Sequence, residues 1–352
     1  MRASDARLPS LTGLRFVAAL AVFGFHLNAL GLFRGGPAES AMGLLFGPGA
    51  IGVSFFFVLS GFVLTWSARP GQAATSIWRR RAAKIYPNHV VAWFVALLGL
   101  VVLGAHEVSA VSVVLGALLL QAWVPAESVF FAVNTPAWSL SCEAAFYLAF
   151  PLLIRWVTRV TRLWWIAGAL AAAVALVPVV AMLFPPPVEY WFVYVFPVTR
   201  VLEFALGMVM ARIVMSGQWI GWLKPLPASA LVLVAYFGSA HVPGTFGFVA
   251  VTVVPLALLI ASVAVSDVDG TRSPWRSRPM VWLGEVSFAF YLVHHFVIRT
   301  VAEGLDELGV TGIPAVVPAA LMFSVSLVLA WLLFRFVEKP AFRLLTRQSQ
   351  AV

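Results

Sequence analysis

Cysteine is almost absent from this chain of 352 residues, Cys142 being the only one. An intramolecular disulfide is therefore impossible, and a thiolate zinc site is excluded. Charge is scarce too: Asp, Glu, Lys and Arg together make up 11% of the residues, and no hydrophilic block large enough for a soluble domain interrupts the apolar runs. Internal repeats and low-complexity tracts are also missing. What remains is 62% hydrophobic with a mean hydropathy of +0.96, outside the range of soluble domains. The sequence predicts an all-α polytopic membrane protein.

A net charge of +9 invites a nucleic-acid reading. The cations instead fall in short patches between apolar runs, as orientation-setting loops require, so no nucleic-acid partner is expected and the bilayer is the expected surrounding. Stretches long enough to cross it lie near 11–33, 45–66, 88–105, 138–156, 163–183, 191–213, 226–238, 246–266, 281–302 and 314–336, about ten helices. The span at 226–238 is the weakest, being short and preceded by Pro225 and Pro227. The run from Ala110 to Trp123 is shorter than a span, and we read it as a re-entrant or interfacial helix.

With these crossings, 19 of the 23 Lys and Arg residues fall on one side together with both termini. The expected location is the plasma membrane with both termini cytoplasmic. Glu39, Glu107, Glu127, Glu189, Glu303, Asp306 and Glu307 gather on the other side. A secretory signal peptide is a poor account of the first segment, because Arg15 and His26 interrupt its apolar core and no clear cleavage site follows. One membrane-embedded unit over 1–348, a short tail at 349–352 and no appended soluble domain are expected.

Arg15 and His26 are the most informative residues, because ionisable groups inside a membrane are costly and mark sites. Eleven helical positions return His26 to within about 20° of Arg15, roughly 16 Å further along the axis. A cationic anchor thus shares one helix face with a potential proton acceptor. The basic turn Trp78-Arg79-Arg80-Arg81-Ala82-Ala83-Lys84 is a second cationic feature, and its bland reading is an ordinary positive-inside patch.

Arg15, ten residues and then His26, within Leu11-Thr12-Gly13-Leu14-Arg15, resembles the opening block of the integral-membrane acyltransferase-3 family. Val53-Ser54-Phe55-Phe56-Phe57-Val58-Leu59-Ser60-Gly61-Phe62, the basic turn before Tyr86-Pro87, Asn134 to Glu143 with Phe146-Tyr147, Arg200 to Gly207, Leu283 to His294 and Glu338 to Pro340 are similar to further family blocks. The likeness covers nearly the whole chain. One departure is Lys84, where the family's basic turn usually has a second Arg; charge is kept and bidentate phosphate recognition is lost.

The resemblance implies an O-acyltransferase that takes its acyl group from cytoplasmic acyl-coenzyme A, a donor substrate rather than a bound cofactor. Arg80, Arg81 and Lys84 would meet its phosphates, Arg81 and Lys84 from one face if the turn is helical. Arg15 would bind a phosphate or orient the thioester arm. An acceptor hydroxyl needs a base, and imidazole, with an unperturbed pKa of about 6.5, makes His26 the candidate; an acyl-histidine intermediate stays open.

Glu143 would orient His26 or stabilise its protonated form, the competing role being a structural carboxylate satisfied by Ser139, Trp138 or an arginine. Trp138, Ser139, Tyr147, Arg200, Glu203 and His294 complete the candidate pocket. Arg200 and Glu203, three apart, read best as a structural ion pair. His294 and His295 suggest a proton pathway or a second polar wall, but neighbouring helical positions diverge and could not both chelate. His89, His106 and His241 sit at membrane edges, no two histidines recur at metal-ligand spacing, and no catalytic metal is expected.

Ser60 lacks the setting of a nucleophile elbow and is expected to pack beside Gly61. Cys142 is expected to be an apolar filler, and Trp123, Trp164, Trp165, Trp191, Trp219 and Trp222 to form interfacial belts. Within the family, Leu8 to Arg15 and Phe62 to Ser67 look most like the antibiotic-modifying branch, macrolide 3-O-acyltransferases among them. A macrolide or other glycosylated natural product is the expected acceptor, with surface or exopolysaccharide sugars the alternative. Acyl chain length and oligomeric state stay open. A proton-coupled transporter is the alternative of another class, and it would show repeats and matched broken helices. A non-catalytic scaffold leaves the Arg15 and His26 arrangement unexplained.

Overall fold

The computed structural model describes residues 6–102, 108–242, 244–310 and 312–347. The expectations for His106, Glu107 and the tail at 349–352 fall outside the described residues. In chain order the helices are α1 (Pro9–Ala29), α2 (Pro37–Phe46), α3 (Gly52–Ser67), α4 (Ala74–Val102), α5 (Ala110–Ala117), α6 (Glu127–Phe130), α7 (Trp138–Arg159) and α8 (Leu163–Ala181). There follow α9 (Pro186–Tyr190), α10 (Pro197–Met215), α11 (Pro225–Gly238), α12 (Val253–Val268), α13 (Arg278–Glu307), α14 (Val316–Leu333) and α15 (Lys339–Arg347). No strand occurs among the described residues, and the chain is an all-α polytopic membrane protein.

Nine helical segments among the described residues are long and apolar enough to cross a membrane. The tenth expected span is α11, whose 14 residues run from Pro225 to Gly238. At 1.5 Å per residue it is about 21 Å long, against a hydrocarbon core of about 30 Å. A single 3-10 turn, Ser239–His241, extends it. The apolar run after residue 109 forms the 8-residue α5, capped by the Ser109 hydroxyl on the Ser112 amide, and then a 3-10 turn at Gln121–Trp123. It is too short to span, as expected.

The chain divides into two compact units. The first comprises Met1–Ala18, Ala50–Gln72 and Cys142–Glu285. Its α1 segment starts on a carboxylate: the Ser10 amide and hydroxyl donate to the two Asp267 oxygens at 2.8 and 2.7 Å, which caps orphan amides and suits the positive helix end. Its centre is the contact of α3 with α10. A methyl group built on Gly61 would strike the carbonyl oxygen of Phe204, and one on Gly207 would strike that of Val58. Small residues let two backbones meet where lipid supplies no hydrophobic drive.

Gly207→Leu is therefore expected to lower stability by about 1–3 kcal/mol, the usual range for overpacking. A denaturation midpoint of the purified protein that stays at the wild-type value would contradict this.

The second unit comprises Ala19–Gly49, Ala73–Ser141 and Val286–Val352. Phe23 on α1, Phe290 on α13 and Phe323 on α14 meet there, with ring centroids 5.6 to 5.8 Å apart. Between α14 and α15 the π-turn Phe334–Glu338 adds a residue to the helical circuit. It leaves Glu338 buried against Lys84 and Asn88, which lie four apart on α4.

Candidate active site

α1 is one continuous helix through Arg15 and His26, so the eleven-residue spacing read from the sequence holds in the structure. Both side chains are half-buried. Among the described residues the Arg15 guanidinium has no hydrogen bond or ion pair within the protein.

His26 is held by the second unit. Its Nδ1 lies 2.9 Å from His294 Nε2, and His294 Nδ1 lies 2.7 Å from the Tyr291 carbonyl oxygen. A carbonyl only accepts, so His294 Nδ1 carries a hydrogen and, in the neutral ring, Nε2 keeps its lone pair. His26 Nδ1 must then be the donor. The lone pair of His26 is left on Nε2, a ring atom outside this chain of bonds. Two residues 268 positions apart thus fix one tautomer.

The surroundings keep His294 rigid. It is fully buried, stacked on Phe290 at 6.0 Å and flanked by Phe23 at 6.3 Å. The Tyr291 hydroxyl bonds to Ser139 at 2.9 Å and to the Pro136 carbonyl at 3.3 Å, tying α13 to the start of α7. Ser139 and His294 are thus brought into one network. Trp138, beside Ser139, is buried. His295 also reaches His26, their ring centroids 4.8 Å apart and edge-on, although its own ring is 6.5 Å from that of His294. Adjacent positions diverge, yet the His26 ring sits in the gap and meets both, an arrangement that no local spacing encodes.

Glu143 Oε2 accepts from the Tyr147 hydroxyl at 2.9 Å, and Tyr147 is 3.0 Å from Ser60. Ser60 was expected only to pack; the packing is done by Gly61, and the Ser60 hydroxyl joins this polar chain in the first unit. Arg200 and Glu203 form the expected ion pair at 2.6 Å, fully buried. Ser54 bonds to Arg200 at 3.2 Å, and the guanidinium lies over the Phe57 and Tyr194 rings. Through Ser54 the pair links α3 to α10. Cys142 is buried with its thiol on the Val195 carbonyl. Trp191 is buried on Phe196, whereas Trp165 and Trp222 are exposed as interfacial residues would be.

The basic turn is helical, within α4, so Arg81 and Lys84 share a face as expected. Lys84, however, is salt-bridged to Glu338, whose other oxygen accepts from Asn88 at 2.6 Å. Its charge is offset within the protein, by a partner that no local spacing in the sequence connects to it. Arg80 is exposed, Arg81 is half-buried, and Arg79 keeps a buried Nε with no partner among the described residues.

A membrane-embedded imidazole in a fixed tautomer, on the same helix as an arginine without a partner among the described residues, fits an intramembrane group-transfer enzyme, and the class is that of membrane acyltransferases. The acyltransferase domain of the acyltransferase-3 family matches residues 8–335, and the chain belongs to that family. It is 45% identical to the acyltransferase MdmB of Streptomyces mycarofaciens, over 97% of this chain and 93% of that protein. Identity to the exopolysaccharide production protein ExoZ of Rhizobium meliloti is 30%, covering 84% of this chain and 90% of the relative. Identity to the peptidoglycan O-acetyltransferase OatA of Listeria monocytogenes is 24%, over 96% of this chain and 56% of that protein. No solved structure matches the chain.

Proposed function

We propose that this O-acyltransferase moves an acetyl or other short acyl group from cytoplasmic acyl-coenzyme A to a hydroxyl of a macrolide or similar glycosylated product. The observation that carries the catalytic part is the bond from His26 Nδ1 to His294 at 2.9 Å, which leaves Nε2 as the proton acceptor. The acceptor oxygen attacks the thioester carbonyl carbon as its proton passes to Nε2. The carbon–sulfur bond then breaks, and the departing thiolate takes the proton back from the imidazolium. His294 accepts a charge-assisted hydrogen bond from the imidazolium while it exists.

The donor side rests on Arg15, unpaired among the described residues, and on Arg80 and Arg81, with Lys84 shared with Glu338. The rise of roughly 16 Å from Arg15 to His26 is comparable with an extended pantetheine arm. The macrolide acceptor rests on the likeness of Leu8 to Arg15 and Phe62 to Ser67 to the antibiotic-modifying branch; the 45% identity to the acyltransferase MdmB supports the acyl-transfer class. Surface polysaccharide is the second reading, favoured by the likeness to ExoZ and OatA. Placement in the plasma membrane with both termini cytoplasmic follows if α11 and its 3-10 extension complete a crossing, which puts Lys224 on the inner side with the other cations.

Purified protein in detergent, given acetyl-coenzyme A and glycosylated macrolides or sugar glycosides, is expected to release free coenzyme A only with an acceptor. The macrolide product should gain one acetyl group by mass spectrometry. Thioester consumption with sugar glycosides alone would move the acceptor to the polysaccharide class, and acceptor flux without thioester consumption would make the protein a transporter.

A further inference from the structure

α13 carries a polar stripe past His295: Arg299, Thr300 and Glu303 follow it on the same face. Facing them are Ala96, Gly99 and Leu100 of α4 and the loop at Val133 and Asn134, which close a cavity of about 20 Å³. That is room for one water or one hydroxyl group. At its inner end His295 lies edge-on to His26, and among the described residues its imidazole has no hydrogen-bond partner. At its rim Arg299 and Glu303 are exposed and paired at 3.1 Å.

Asn134 is aimed by a strained backbone. Val133 has φ of +60°, a region that β-branched residues avoid, and the Asn134 amide bonds back to the Ala132 carbonyl at 2.7 Å in a tight γ-turn. Strain of this sort collects at ligand sites. The Asn134 Nδ2 donates to the Leu292 carbonyl at 3.2 Å, which fixes the amide, and the buried Oδ1 has no partner among the described residues. One buried acceptor, one free imidazole and a rim able to donate and accept therefore converge on a hydroxyl-sized space.

The cleft also lies away from the cationic turn. Gly99 follows Arg81 by eighteen positions on α4, about 27 Å along the helix. Phosphates bound at one end would leave the other end free for a second substrate.

We propose that this cleft is the acceptor subsite: the reacting hydroxyl enters beside His295 and Asn134, and Arg299, Thr300 and Glu303 bind neighbouring hydroxyls of the same glycosylated acceptor. This rests on the acyl-transfer reading above. Arg299→Ala removes a rim donor and Thr300→Trp fills the slot from an exposed position. Both are tested with acetyl-coenzyme A and a glycosylated macrolide, alongside equilibrium dialysis of the macrolide alone and a melting curve.

Arg299→Ala should raise the acceptor KM about tenfold, the loss of one hydrogen bond to a charged group, with the donor KM moving less than twofold. Thr300→Trp should abolish macrolide binding in dialysis while coenzyme A still binds. Wild-type acceptor affinity in both folded variants would overturn the proposal. If the wild type bound macrolide without consuming thioester, and binding still fell in the variants, the transfer chemistry would be wrong and the cleft assignment would stand.

Discussion

Replacing His26 by Gln is expected to lower kcat by about 10²–10⁴-fold, the usual contribution of a positioned base. Glutamine is similar in length and polar, but it cannot take the hydroxyl proton. The donor KM should change little, because Arg15 and the basic turn hold the other end of the thioester. Protein yield and melting temperature should stay close to wild type, since His26 is half-buried and a glutamine amide can still donate toward His294. Acceptor-dependent release of coenzyme A at more than about a tenth of the wild-type rate would remove His26 from the role of base.

The second large effect belongs to His294. It touches His26 and the Tyr291 carbonyl, so it acts through His26 as a positioning residue. His294→Leu removes the acceptor on Nε2 and leaves the His26 Nδ1 hydrogen unpaired. The ring is then free to rotate or to adopt the other tautomer. Turnover should fall about 100-fold, consistent with the loss of an orienting partner. His294→Gln offers an amide oxygen near the former Nε2 and should keep activity within about tenfold of wild type, because one hydrogen bond can be remade.

The difference between Leu and Gln separates positioning from packing. The cage of Phe23 and Phe290 should accept leucine at least as readily as glutamine, so a merely structural histidine predicts the opposite order. Equal activities in the two variants would contradict the positioning role.

Arg15, His26 and the basic turn were legible because each motif lies on one helix, where a 100° step turns sequence spacing into a shared face. Apolar run length gave the spans for the same reason, and it was least informative at α11, where prolines and Gly238 bound a helix of 14 residues. The partners of these groups were not legible. His294 is 268 positions from His26, and Glu338 is 254 from Lys84, so no local period connects them. The π-turn at Phe334–Glu338 shifts the register by a residue and turns Glu338 inward, which a regular helical wheel misassigns. The strained turn at Val133 is a tertiary effect, since nothing in Ala132-Val133-Asn134 asks for a positive φ. Glu143 was readable as an intramembrane carboxylate, while its link through Tyr147 to Ser60 depends on how α3 meets α7.

The mechanism turns on which ring nitrogen of His26 holds a hydrogen. Magnetic resonance of protein with isotopically labelled imidazole nitrogens, assigned with His26→Gln and His294→Gln, reads this without turnover. Both histidines should be neutral at the pH of transfer, each with hydrogen on Nδ1 and a bare Nε2. A spectrum in which His26 carries its hydrogen on Nε2 would contradict the mechanism, for the atom assigned to take the proton would already be occupied.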